Sequence, residues 1–174
     1  TLAMSSAASD VYKRQVLRET AVTSAKLFVL LFGALIFSNF VNRAGLPAAL
    51  IDIVTAFELS PIGVIFIILL IYVLLGCVFE SMSMILLTVP IFAPLVEGLG
   101  FDLIWFGILV VVVTEISLIT PPIGLNVFVL KGALKDVSVK TIFKGVTPFW
   151  VADIFRLALL ALVPAIALFL PSMM

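Results

Sequence analysis

Seven oxygen-bearing side chains sit where an apolar sequence has little room for them. Glu80, Ser81 and Ser83 fall in one interruption, and Glu115, Ser117, Thr120 and Asn126 fall in another. The second interruption reads Glu-Ile-Ser-Leu-Ile-Thr-Pro-Pro-Ile-Gly-Leu-Asn over residues 115–126, inside an apolar run from about Phe101 to Lys131. Pro121 and Pro122 withdraw backbone donors, and Gly124 loosens the next turn. The carbonyls near Ser117 and Leu118 are therefore expected to lose their helical partners. In hydrocarbon each such orphan costs several kcal/mol unless protein, water or an ion satisfies it. Hydroxyls, carboxylates and freed carbonyls are the ligands a hard cation takes, and helix N-termini beyond a break attract a carboxylate. Cation coordination beside an anionic substrate is thus the chemistry these residues suit. The competing reading is a proline kink satisfied by neighbouring helices.

Composition sets the solvent. Of 174 residues, 64% are hydrophobic and 11% charged, with a mean hydropathy of +1.38. A soluble domain is nearer half apolar and a quarter charged, so the chain reads as an all-α integral membrane protein. Ten basic and ten acidic residues cancel, which argues against nucleic acid as a partner. The absence of histidine removes imidazole base catalysis and most zinc sites. The single Cys77 forms no intrachain disulfide and reads as a small buried apolar side chain.

Periodicity gives the elements that must position the two interruptions. Residues 1–15 differ from the rest and look like a non-native leader, expected to be disordered or an arbitrary helical extension. A span is expected over about 22–42, close to the roughly 20 residues a bilayer requires. Residues 46–57 place Leu46, Leu50, Ile53, Val54 and Phe57 opposite Asp52 and Thr55, the pattern of an interfacial helix or packed connector. Ser60 and Pro61 then open a helical hairpin over 62–97 as cap and first residue. Its second arm carries Thr88, Pro90 and Pro94, and its turn runs from Gly76 to Ser83. A broken helix is expected over 102–132, a basic interfacial helix over 138–146, and a last span over 149–170 kinked at Pro164. Asp153 and Arg156 fall at i, i+3 and suit pairing as an anchor.

Basic residues orient the chain. Lys13, Arg14, Arg18 and Lys26 precede the first span, and Lys131, Lys135, Lys140 and Lys144 lie beyond the broken helix. Placing both groups in the cytoplasm satisfies the positive-inside rule. A fully spanning hairpin would then put a turn without Lys or Arg in the cytoplasm. A re-entrant tip that stops inside the protein is favoured over that alternative. The tip and the break could then meet and share an ion. For Glu80 and Glu115 the other role is a hydrogen bond to broken backbone.

Specific motifs carry a resemblance. Leu75-Gly76-Cys77-Val78-Phe79-Glu80-Ser81, Leu87-Thr88-Val89-Pro90-Ile91, Phe106-Gly107-Ile108 and the Glu115–Asn126 string together resemble the C-terminal half of the large membrane subunit of TRAP (tripartite ATP-independent periplasmic) transporters of the C4-dicarboxylate type. The match covers about residues 16–171. The resemblance implies an elevator-type fold of inverted repeats, each with a re-entrant hairpin and a broken helix. It implies sodium-coupled uptake of an organic anion across the bacterial inner membrane, with a periplasmic binding protein and a small membrane subunit. Carried onto this chain, Gly76, Glu80, Ser81, Ser83, Thr88, Glu115, Ser117, Thr120, Pro121, Pro122, Gly124 and Asn126 become substrate or ion contacts. Glu80, Ser81, Ser83, Thr120 and Gly124 are then the sodium candidates, and no organic cofactor is expected. A first repeat is not visible here, so a missing N-terminal half is an expected partner, and the chain alone should not transport. Two other classes compete: a non-catalytic membrane assembly subunit, and an intramembrane enzyme using Glu80 or Glu115 as acid or base.

Overall fold

The computed structural model describes residues 2–121 and 124–173, side chains among residues 2–9 excepted. The chain divides into two units, residues 1–40 and 41–174. All regular elements among the described residues are helical.

Helix α1 (Leu2–Arg43) contains the first unit. It runs unbroken through residues 2–15, so the stretch set apart as a leader is a helical extension of the first span rather than disordered chain. Nothing in its sequence would stop it: the first proline is Pro47, and Gly45, in the left-handed region at φ 74°, lies just past the helix end.

The second unit is built around α5 (Leu103–Ser117). Its buried positions Trp105, Leu109, Val113 and Ile116 recur at helical spacing, as do Phe106 and Val110. That apolar surface packs against α3 (Pro61–Gly76), α4 (Ser81–Gly98), α7 (Val139–Leu162) and the short α8 (Pro164–Leu168). The expected cap and first residue open α3: Ser60 Oγ accepts from the Gly63 amide at 3.3 Å. Asp102 opens α5 by accepting from Ile104 and Trp105. Helix α2 (Leu46–Ala56) lies along α4, with Leu50, Ile51 and Val54 against the core. Ile53 and Phe57, expected on the same apolar stripe, face outward.

Some prolines end these helices and others lie within them. The basic helix expected over 138–146 and the last span expected over 149–170 are one helix, α7, which Ser138 caps and which passes through Pro148. It ends at Leu162 instead. Val163 is forced out of the helical region by the proline ring after it, at φ −125° and ψ 75°. Because Pro164 has no N–H, the carbonyl of Leu160 loses its i+4 donor, and the Trp105 indole supplies one at 2.8 Å.

Among the described residues, three helices are long and apolar enough to cross a membrane: Asp10–Arg43, Ser81–Gly98 and Val139–Leu162. Helices α3 and α5 are apolar but have 16 and 15 residues. At 1.5 Å per residue they reach roughly 24 and 23 Å, short of a hydrocarbon core of about 30 Å. Both stop at an interruption.

Candidate functional site

The first interruption is the hairpin tip, residues 77–80, between α3 and α4. The amides of Val78 and Phe79 return to the carbonyl of Leu75, closing α3 tightly. Glu80 then caps α4. Its carboxylate accepts from the Met82 amide at 3.0 Å, the Ser83 amide at 2.9 Å and the Ser83 hydroxyl at 3.0 Å. An acid at this position satisfies the free amides of the first turn and meets the positive end of the helix. These amides belong to the first turn of α4.

The second interruption separates α5 from α6 (Leu125–Ala133). Pro122 lies outside the described residues. The two carbonyls expected to be orphaned are not. Ser117 O accepts from the Thr120 amide at 3.2 Å, and Leu118 O accepts from the Asn126 amide across the break at 3.1 Å. The chain thus folds back on itself and repairs most of what the prolines remove. Gly124, in the left-handed region at φ 52°, makes the return possible. A side chain there would also crowd Thr120 O and Phe143, each 3.3 Å from an added Cβ.

The tip and the break meet. A Cβ added to Gly76 would lie 2.0 Å from Ser117 Oγ and 2.3 Å from Ser117 Cβ, so backbone and side chain are in direct contact there. Ser117 is fully buried and donates back to the carbonyl of Thr114 at 2.6 Å. Beside it the Cys77 thiol faces the carbonyl of Thr120 at 3.9 Å. Thr120 is buried as well. Its hydroxyl donates to Ile116 O at 2.7 Å and accepts from the Trp150 indole at 2.8 Å.

Other candidates stand apart from this contact. Glu115 is two residues from Ser117, about 200° around the helix, so the two cannot share a face. It is exposed, 3.7 Å from Arg156, which also pairs with Asp153 at 3.1 Å as their spacing suggested. Thr88 lies within the hairpin, 2.7 Å from both Tyr72 Oη and Met84 O, and ties α3 to α4. Asn126 contributes its backbone amide while its side chain is exposed. Ser81 opens α4 partly buried, and Pro121 is exposed at the rim of the break.

Two participants were not singled out in the sequence. Cys77 read as packing alone, and Trp150 carried no signal of its own. One clue existed: a tryptophan in an apolar helix must place its N–H on an acceptor, and helix breaks concentrate spare acceptors. Among the described residues no three acidic or thiol side chains converge. A cation at this contact would therefore be held by carbonyls and hydroxyls. Thr120 O fits that role, because the donor facing it among the described residues is a weak one.

Proteins of known type are similar to this chain. The profile of the family described as the DctM component of the tripartite ATP-independent periplasmic transporters matches residues 4–166. The sialic acid TRAP transporter large permease of Vibrio cholerae is 31% identical over 159 residues, 91% of this chain and 37% of that protein. The C4-dicarboxylate large permease of Pseudomonas aeruginosa is 30% identical, covering 91% of this chain and 37% of that protein. The ectoine large permease of Halomonas elongata is 33% identical, covering 93% and 37%. The chain thus spans a little over a third of the length of these relatives. It is an integral membrane protein of a transporter family rather than an enzyme, and it belongs to the DctM component family of TRAP transporters.

Proposed function

We propose that this chain forms part of a large permease that takes up an organic anion, a C4-dicarboxylate or related carboxylate, across the bacterial inner membrane by sodium coupling. The single observation that carries the reading is the contact of Gly76 with Ser117 and of Cys77 with Thr120 O. It joins two places where membrane backbone leaves its regular ladder. Oxygen ligands exposed by broken helices at membrane depth are what a coupling ion uses. Family membership supports the tripartite setting, with a small membrane subunit and a periplasmic binding protein as partners. The relatives' names cover sialic acid, C4-dicarboxylates and ectoine, so the dicarboxylate is the finer part of the proposal.

The test is uptake of a radiolabelled C4-dicarboxylate by proteoliposomes carrying the full-length permease, its small subunit and its binding protein. Uptake is expected under an inward sodium chloride gradient and not under choline chloride. Equal uptake in both salts would remove sodium coupling from the proposal. Uptake of other organic anions but no dicarboxylate would change its substrate.

A further inference from the structure

We infer that Trp150 is a positioning residue for the cation site: its indole locks the Thr120 hydroxyl, leaving the Thr120 carbonyl for the ion. The inference rests on the proposed sodium coupling and extends it to a residue on another helix. A threonine hydroxyl has one proton and two lone pairs. In Thr120 the proton goes to Ile116 O and one lone pair takes the Trp150 N–H. With both bonds made, the side chain is held in one rotamer and the hydroxyl is largely spent. Among the described residues, the carbonyl of the same residue faces the Cys77 thiol at 3.9 Å, a long contact from a weak donor.

Trp150 packs against the core, and its hydrogen bond to Thr120 fixes the ring on the side of the break. Next to Trp150 lies a cavity of ≈ 130 Å³ lined by Ile119, Pro121, Phe143, Val146 and Thr147. Indole packing toward the break is thus incomplete where it borders residues 119 and 121, on either side of Thr120. A side chain with space beside it keeps its position through its polar bond. Removing that bond leaves the Thr120 hydroxyl with Ile116 O alone and loosens the side chain beside the carbonyl.

The experiment is a sodium chloride titration of the thermal stability of the full-length permease, against choline chloride at equal ionic strength. Trp150→Phe, Thr120→Val and the double variant are compared with the wild type. Either single variant should raise the half-saturating sodium concentration about three- to tenfold, the range expected for one lost neutral hydrogen bond. The double variant should be no worse than Thr120→Val alone, because that substitution already removes the bond lost in Trp150→Phe, together with the one to Ile116 O. A purely structural role would lower the salt-free melting temperature and leave the half-saturating concentration unchanged, which overturns the inference. Additive effects, or loss of the sodium response in Thr120→Val alone, also overturn it, the latter by making the hydroxyl itself the ligand. A wild type blind to sodium overturns the proposed coupling and this inference together. If Trp150→Phe does not fold, Thr120→Val removes the same bond from its other end.

Discussion

The hairpin tip and the helix break solve one problem in opposite ways. Each interrupts an apolar helix and exposes backbone polar groups. The tip is satisfied locally: Glu80 and Ser83, three residues apart, serve the first turn of α4 without leaving the segment. The break draws on distant chain: the amide of Asn126 across the gap, the thiol of Cys77, and the indole of Trp150 thirty residues away. A locally satisfied interruption can keep its form as the surroundings change. One satisfied from three directions has a form that depends on how those elements are placed.

The largest expected effect comes from forcing the two apart. Gly76→Ala puts a methyl into Ser117 and should destabilise the full-length permease by about 1–3 kcal/mol, the usual cost of overpacking. Ser117→Gly removes both overlapping atoms, so adding it should recover most of the loss. Unfolding in graded denaturing detergent measures both, and an unrescued double variant would show that the clash lies elsewhere.

Trp105→Phe comes next. It leaves Leu160 O, already without its helical donor because of Pro164, unsatisfied at a partly buried position. A loss of about 1–3 kcal/mol is expected. It should fall on the α7–α8 junction and leave sodium titration unchanged, which separates this indole from that of Trp150.

Glu80→Ala removes a cap and should cost about 1 kcal/mol, with Glu80→Asp retaining much of it. Hydrogen exchange tests the locality: protection should fall in the first turn of α4 and persist in residues 117–120. Matching loss at the break would mean that the tip also depends on distant partners. The smallest effect belongs to Glu115→Gln. Its exposed pair with Arg156 contributes within about 1 kcal/mol, and thermal melting should barely move.

How much of this was legible in the sequence depended on the range of the forces involved. The hairpin bounds, the cap at Ser60, the pairing of Asp153 with Arg156 and the break between Ser117 and Gly124 are set by neighbours within four residues. Pro121, Pro122 and Gly124 announced a break, but not that Asn126 would repair Leu118 O. Glu115 looked like a site residue because acids at membrane depth usually are. Its phase on α5, readable from helix geometry, places it on another face from buried Ser117. Pro148 and Pro164 look alike in sequence. Yet α7 passes through the first and stops before the second, where Trp105 answers the free carbonyl.

The sequence by itself determined that the chain is helical and membrane-bound, and where its backbone ladder fails, because hydrophobicity and proline act through local covalent and steric rules. It also carried the motifs that mark its family. Only the tertiary structure decided that the two failures touch, that Gly76 is small because Ser117 fills its space, and that Trp150 reaches Thr120. Those are contacts between residues 30 and 41 positions apart, and the packing of α3 and α7 around α5 brings them together.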